Sequence, residues 1–165
     1  MQSFTFNTVA RTVSGAGEAL KLAQHCAGLG AGKVLLVTDP GLVSIGLIGP
    51  VQDALVSAGV SVELFAKVAE DPPESVVLAA TEVAEAAGVE AVVAVGGGSS
   101  MDVAKLVAVL LTGTQTLSEL YGVDQVAGGR LPLILVPTTA GTGSEATPVA
   151  VITTGETTKA GVSSP

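Results

Sequence analysis

The apolar positions of the chain fall into short compact runs separated by longer amphipathic segments. Four of the runs are rich in β-branched and aliphatic residues, which favours buried strands. They are KVLLVTD (33–39), VSVELF (60–65), AVVAV (91–95) and LPLILVP (131–137). A threonine-rich stretch at residues 3–13 is also strand-like.

Other segments have apolar residues at the spacing of a helix, and they are followed by residues that usually end helices. They cover residues 15–30, Pro50–Ala58, 74–88 and Ser99–Leu111. In the second segment a proline stands in the first turn and Gly59 follows the end, which is the usual asymmetry of helix termini. The last segment is apolar almost all round, so we expect that helix to be buried.

Strands that alternate with helices in this way predict an α/β domain with a mainly parallel sheet. We expect one domain over residues 1–165, because the chain is long enough for one core and short for two. The last segment, PVAVITTGETTKAGVSSP, predicts two strands around Gly155, and such a hairpin could pair with another copy. The predicted fold is a Rossmann-like sheet flanked by helices, with an amino-terminal strand and a carboxy-terminal β-hairpin.

The composition limits which partners and which cellular compartment we expect for the protein. The chain has fifteen acidic against seven basic residues and no basic run, so nucleic acid is a poor partner. Cys26 is the only cysteine, which excludes an internal disulfide and fits a reducing compartment. The start of the chain lacks the basic and apolar regions of a signal peptide, and no uncharged run reaches the length of a membrane span. We expect a cytoplasmic protein without a membrane partner.

The stretch VVAVGGGSSMDVAK (92–105) places three glycines where a strand passes into a helix. Consecutive glycines are entropically costly, so the backbone there must approach something closely. Backbone amides at the positive end of a helix dipole favour a phosphate, and Ser99 and Ser100 could donate to it. A tight turn capped by serine is the alternative, and the glycine triplet leaves both interpretations open.

Other polar residues follow strand ends, and the carboxyl ends of parallel strands meet at one edge of a sheet. Asp39 could accept hydrogen bonds from ribose hydroxyls, or it could be a turn aspartate before Pro40. Asp102 could face the same cleft, or it could pair with Lys105 at helical spacing. The loop PTTAGTGSEATP (137–148) supplies hydroxyl groups around two glycines, although it could be only a loop. Its threonines are Thr138, Thr139, Thr142 and Thr147.

Three stretches together resemble the amino-terminal half of the iron-containing, group III alcohol dehydrogenases, a family that includes lactaldehyde and butanol dehydrogenases. They are VTDPGL (37–42), GGGSSMDVAK (96–105) and PLILVPTTAGTGSEATPVAVIT (132–153). The resemblance covers nearly the whole chain and implies a domain that binds NAD, with NADP less favoured.

The resemblance also implies roles for individual residues. The pyrophosphate would be held by Gly97, Gly98 and Ser99, with Ser100 beside them, and the adenosine ribose by Asp39. Asp102 would lie near the substrate end, and Lys159 near the nicotinamide ribose. The cofactor cleft would be lined by Thr138, Thr139, Thr142 and Thr147. Asp71 departs from the family pattern, which more often has Asn in that turn.

Members of that family are more than twice as long and bind iron or zinc through one Asp and three His in the other half. This chain has a single histidine, His25, so its sequence offers no metal site. We therefore expect it to be the cofactor-binding part of an enzyme that acts on small alcohols or aldehydes, and to be inactive alone. The alternative is a stand-alone nucleotide-binding module without catalysis. An interaction domain is a weaker possibility, and apolar surface left uncovered would favour a homo-oligomer.

Overall fold

The structure of this chain is a computed structural model that describes residues 8–155 and 157–164. Seven strands form in these ranges, numbered here in chain order. They are β1 (Lys33–Val37), β2 (Ser61–Phe65), β3 (Ala91–Gly96), β4 (Gly122–Val123), β5 (Leu133–Pro137), β6 (Val149–Thr154) and β7 (Thr158–Ser163). The α-helices are α1 (Leu22–Gly28), α2 (Pro40–Ser44), α3 (Ile48–Ser57), α4 (Glu74–Ala87) and α5 (Gly98–Leu110).

Four strands form the main sheet in the order β2-β1-β3-β5, and every pair in it is parallel. This confirms the α/β fold that the alternating pattern predicts. The central strands β1 and β3 are covered on both faces, which explains why they are continuous apolar runs. Leu35 and Val92 lie in the core with α4 and α5, whereas Leu36 and Val93 lie in a second core with α1 and α3.

The carboxy-terminal segment forms the predicted hairpin, in which β6 and β7 are antiparallel. β4 pairs in parallel with the other side of β7, so the hairpin belongs to a second, three-stranded sheet. Its buried side chains Ala150, Ile152 and Val162 join the core that contains α5. The outer edge of β6 is held by the turn before α4, since Thr153 N donates to Pro72 O at 2.9 Å.

The predicted amino-terminal strand is not found in the part of its range that the structure describes. Residues 8–13 are irregular and exposed, and residues 3–7 lie outside the described ranges. A strand needs a partner for its backbone groups, and residues 8–13 form no ladder with the described strands. The alternation of side chains in that stretch does not by itself supply a partner.

The predicted helix at 15–30 is shorter and divided. Gly17 takes a left-handed conformation with φ 76°, and a 3₁₀ turn over Glu18–Lys21 then leads into α1. The segment between α5 and β5 contains a second 3₁₀ turn, Leu117–Leu120. Among the described residues, no helix combines the length and the apolar character needed to cross a membrane.

Candidate functional site

A cleft of about 470 Å³ lies at the carboxyl ends of the main-sheet strands. Because the strand order is β2-β1-β3-β5, the segments that follow these strands border the cleft in the same order. The cleft is lined by Asp39, Pro40, Gly41, Leu42, Val68, Ala69, Glu70, Gly97, Gly98, Ser99, Ser100, Thr138 and Thr139. The structure thus brings together seven of the residues that the sequence singled out, and they come from three different loops.

The glycine turn between β3 and α5 is required by packing within the protein itself. A Cβ added to Gly96 would lie 2.5 Å from Ser100 Oγ and 2.6 Å from Ser100 Cβ, which no side chain allows. A Cβ on Gly97 would come within 3.3 Å of Thr139 Oγ1, and one on Gly98 within 3.3 Å of the Thr142 methyl group. The turn is therefore compressed between its own helix and the threonine loop (residues 137–148).

The helix that follows presents its first amides to the cleft. Gly97 is the N-cap with extended backbone, and no side chain caps the helix. The first turn of any helix leaves its amides without intrahelical acceptors, and the first backbone bond here is from Met101 N to Gly97 O at 3.1 Å. The N–H groups of Gly98, Ser99 and Ser100 therefore lie at the positive end of a 13-residue helix, and these three residues line the cleft. This arrangement can bind an anion.

The sequence left two roles open for Asp39, and the structure shows the turn role, in which its side chain binds a backbone amide. Its Oδ1 accepts a hydrogen bond from Leu42 N at 2.9 Å, so it is the N-cap of the short helix α2, with Pro40 at N1. The half-buried side chain also lines the cleft, where Oδ2 makes no hydrogen bond with the described residues. The aspartate is both a helix cap and the wall of the cleft nearest β1.

Asp102 does not line this cleft. Its Oδ1 accepts from Ser144 Oγ at 2.6 Å, and its Oδ2 accepts from Val151 N at 3.0 Å. Lys105 lies 3.5 Å from the same carboxylate and donates to Ser144 Oγ at 2.7 Å and to Val149 O at 2.6 Å. This largely buried group, the Asp102 cluster (Asp102, Lys105 and Ser144), joins α5 to the threonine loop and to the edge of β6.

Burial lowers the pKa of Lys105, and the nearby carboxylates of Asp102 and Glu145 oppose that shift. One carboxylate oxygen of Glu145 is itself buried without a partner among the described residues. The charged groups of the cluster bind each other and nearby residues of the fold, and they do not line the cleft. The pairing of Asp102 with Lys105, left open by the sequence, is present; the cofactor role implied for Asp102 stays a prediction.

Three further residues of the predicted site lie outside the cleft lining. Thr142 packs its methyl group against Gly98 and its Oγ1 accepts from Ser144 N at 3.4 Å. Thr147 borders a different cavity, of about 430 Å³, between α5 and the second sheet. Lys159 on β7 is half-exposed and forms an ion pair with Asp71. Their implied contacts with a cofactor stay predictions.

In the segment after β2 the sequence singled out only Asp71, yet the residues that line the cleft are Val68, Ala69 and Glu70. The signal was available in the sequence, because β2 is a parallel strand of the same sheet and its carboxyl end must reach the same edge. The helix α2 was also missed, although Asp39 followed by Pro40 is a favourable N-cap and N1 pair.

The residues that the structure describes do not fit the metal that the resemblance implies. His25 has Glu18 as its nearest acidic partner, with Nε2 3.9 Å from Oε2. Nowhere in residues 8–155 and 157–164 do three or more His, Cys, Asp or Glu side chains gather. Tight binding of iron or zinc needs such a gathered set of donors.

Known proteins are similar to this chain in both sequence and architecture. The family model of iron-containing alcohol dehydrogenases matches residues 10–165. Choline dehydrogenase of Bacillus subtilis is 41% identical over 157 residues, which cover 93% of this chain and 39% of the relative. The structure of NADH-dependent butanol dehydrogenase A from Thermotoga maritima matches with a TM-score of 0.89 and 35% identity, over 99% of this chain and 42% of that one.

A second solved structure, sulfoacetaldehyde reductase from Bifidobacterium kashiwanohense in complex with NAD+, matches with a TM-score of 0.81 and 32% identity. It covers 91% of this chain and 40% of that protein. This chain therefore spans about two fifths of the length of the relatives it matches. The family model's match over residues 10–165, together with the shared fold, means that the chain belongs to the iron-containing alcohol dehydrogenase family.

Proposed function

We propose that residues 1–165 form the cofactor-binding domain of an NAD-dependent alcohol dehydrogenase, whose whole reaction transfers hydride between an alcohol or aldehyde and NAD. The observation that carries this proposal is the uncapped start of α5, with its amides at the cleft wall between Asp39 and the threonine loop. In support, the sulfoacetaldehyde reductase relative was solved in complex with NAD+, and the butanol dehydrogenase relative is NADH-dependent. A cytoplasmic location is part of the proposal.

Each side of the cleft has chemistry suited to one part of a dinucleotide. The amides of Gly98 and Ser99 would donate to the pyrophosphate, whose negative charge the helix dipole also favours. Oδ2 of Asp39 would accept from a ribose hydroxyl and would repel a 2′-phosphate. Thr138 and Thr139 would border the nicotinamide side, beyond the glycine turn. When bound, NAD supplies the acceptor for the hydride.

Alcohol oxidation in this family needs a metal to lower the pKa of the alcohol, and the donors in residues 8–155 and 157–164 do not fit one. We therefore propose that the 165-residue chain binds NADH and does not oxidise alcohols alone. The substrate is a small alcohol or aldehyde in the whole enzyme, and the cleft described here selects the cofactor rather than that substrate.

The decisive test removes one amide from the start of α5. Proline is tolerated in the first turn of a helix, so Ser99→Pro deletes the Ser99 N–H while the helix can still form. One hydrogen bond to a charged group contributes about 1.5–3 kcal/mol, so NADH affinity measured by calorimetry should fall by about 10- to 100-fold.

The matched control is Ser99→Ala, which keeps the amide and removes only the hydroxyl. It should weaken NADH much less than Ser99→Pro, provided that circular dichroism shows both variants folded. Equal affinity of the proline variant and the wild type would mean that these amides do not hold the phosphates. A wild-type chain that binds no NADH would end the proposal.

A further inference from the structure

The segment after β2 adds a second carboxylate to the cleft. Glu70 and Asp39 are its two ionisable lining residues in the described chain, and no Lys or Arg side chain lines it. Two helix starts lie in the lining, and that of α2 is capped by the Asp39 carboxylate whereas that of α5 has no side-chain cap. The uncapped positive end is therefore that of α5, on the far side of Asp39 from β2. The cleft is thus electrostatically divided, with anion-binding amides at the β3 end and acids toward the β2 end.

The position of Glu70 follows from the order of the strands. Val37 of β1 pairs with Phe65 of β2, and beyond the sheet Val68 N donates to Thr38 O at 3.3 Å. The segment that carries Glu70 therefore continues beside the segment that carries Asp39. A dinucleotide whose pyrophosphate lies at α5, and whose adenosine ribose reaches Asp39, would have Glu70 on the adenosine side.

The backbone on both sides of Glu70 is anchored. Before it, Val68 is fully buried at 1% exposure and bonded to Thr38. After it, Asp71 has a left-handed conformation with φ 50°, and its carbonyl accepts from Thr153 Oγ1 at 3.1 Å. The Glu70 side chain is exposed and has no hydrogen-bond partner within the described ranges, so its carboxylate is available to a ligand.

Asp39 alone is a limited partner for a ribose. One of its oxygens is already bonded to Leu42 N, which leaves Oδ2 for two vicinal hydroxyls. We propose that Glu70 is a second specificity-determining residue for the adenosine end, which accepts from the ribose and excludes a 2′-phosphate together with Asp39. The inference rests on the proposed function, because it needs a dinucleotide in this cleft.

The test compares NADH and NADPH binding to the whole 165-residue chain by calorimetry. Glu70→Gln keeps the size of the side chain and removes its charge, so the ratio of the NADPH to the NADH dissociation constant should fall by about 3- to 10-fold at low salt. Asp39→Asn, which can still cap α2, serves as the positive control. Glu82→Gln on the exposed face of α4 removes the same charge away from the cleft and should leave the ratio unchanged.

The salt dependence supplies a second readout. If the effect of Glu70 is electrostatic, the difference between Glu70→Gln and the wild type should shrink in 1 M salt, where the screening length is about 3 Å. A chain that binds NADH but shows the same ratio in Glu70→Gln as in the wild type overturns this inference and leaves the proposed function intact. A chain that binds neither dinucleotide overturns the proposed function, and this inference with it.

Discussion

At the scale of single residues, the glycine turn shows that a residue can be required for two reasons at once. Close approach was expected there because of a ligand, and the structure finds the nearest atoms in Ser100, Thr139 and the Thr142 methyl group. The turn must first fit its own helix and loop, and only then can its amides face the cleft. Its sequence is therefore constrained by stability as well as by binding.

Gly96→Ala tests this constraint. The new methyl group would meet Ser100 Oγ and Cβ, so either the start of α5 or the end of β3 must move. We expect a loss of about 1–3 kcal/mol in the free energy of unfolding, measured by urea denaturation. The control is Gly49→Ala in α3, where nothing lies within 4 Å and alanine should be neutral or stabilising. A Gly96→Ala variant as stable as the control would show that the turn is not compressed.

The burial of Lys105 predicts how the free energy of unfolding depends on pH. Burial holds its pKa below the ordinary value of 10.5, so between the two values the unfolded chain binds more protons than the folded one. Stability from this residue therefore rises as the pH rises through that interval. Relative to Lys105→Met, the wild type should gain free energy of unfolding as the pH rises toward 10.5. A difference between the two proteins that stays constant with pH would contradict the assignment.

At the scale of elements, the Asp102 cluster explains how the second sheet is attached to the first. The outward amide of Val151 is satisfied by the Asp102 carboxylate, and that of Thr153 by the Pro72 carbonyl. An exposed strand edge invites pairing with other chains, and these contacts occupy part of the edge of β6. The expectation that the hairpin pairs with another copy is less favoured along this edge.

Asp102→Ala should release that edge. The Val151 amide loses its acceptor and Lys105 loses the carboxylate with which it forms an ion pair. We therefore expect faster hydrogen exchange at Val151 and a free energy of unfolding lower by about 1–3 kcal/mol. Amides of β1 should keep their protection until the whole domain unfolds. Asp53→Ala, on the exposed side of α3, removes the same charge without these contacts. Unchanged exchange at Val151 would mean that the carboxylate does not seal the strand.

The sequence predicted elements best where the periodicity was strong and long. β3 and α5 are buried and continuous, and their patterns placed them within one or two residues. β4 has only two residues and exists because β7 offers it a partner, which no local pattern can reveal. The same reasoning applies to Glu70, whose importance depends on the spatial order of strands rather than on its neighbours in sequence.

The whole molecule leaves an apolar row on the outer face of the second sheet. Val123 and Val149 both pair with Ser163, so the three lie side by side, and Val151 follows two residues along β6. Their exposed fractions are 67%, 38% and 38% for Val123, Val149 and Val151. Exposed apolar surface favours association with another chain. We propose that this chain self-associates through that face.

Replacing Val149 and Val151 with threonine should weaken the association while keeping the strand, because threonine also favours β structure. Sedimentation velocity over a range of concentrations would show a shift toward monomer. Val56→Thr provides the control, since Val56 is 56% exposed on α3, outside the second sheet. An unchanged distribution of species in the double variant would place the contact elsewhere.

The buried bond from Thr38 Oγ1 to Val95 O joins groups 57 residues apart in the chain. During synthesis β1 leaves the ribosome long before β3 can cover it, and β5 follows later still. Parallel sheets of this kind fold slowly, because distant segments must meet before any of them is stabilised. At about 5–20 residues per second, the nascent chain will therefore expose the apolar strand β1 for seconds before β3 is made, and we expect it to depend on chaperones during synthesis.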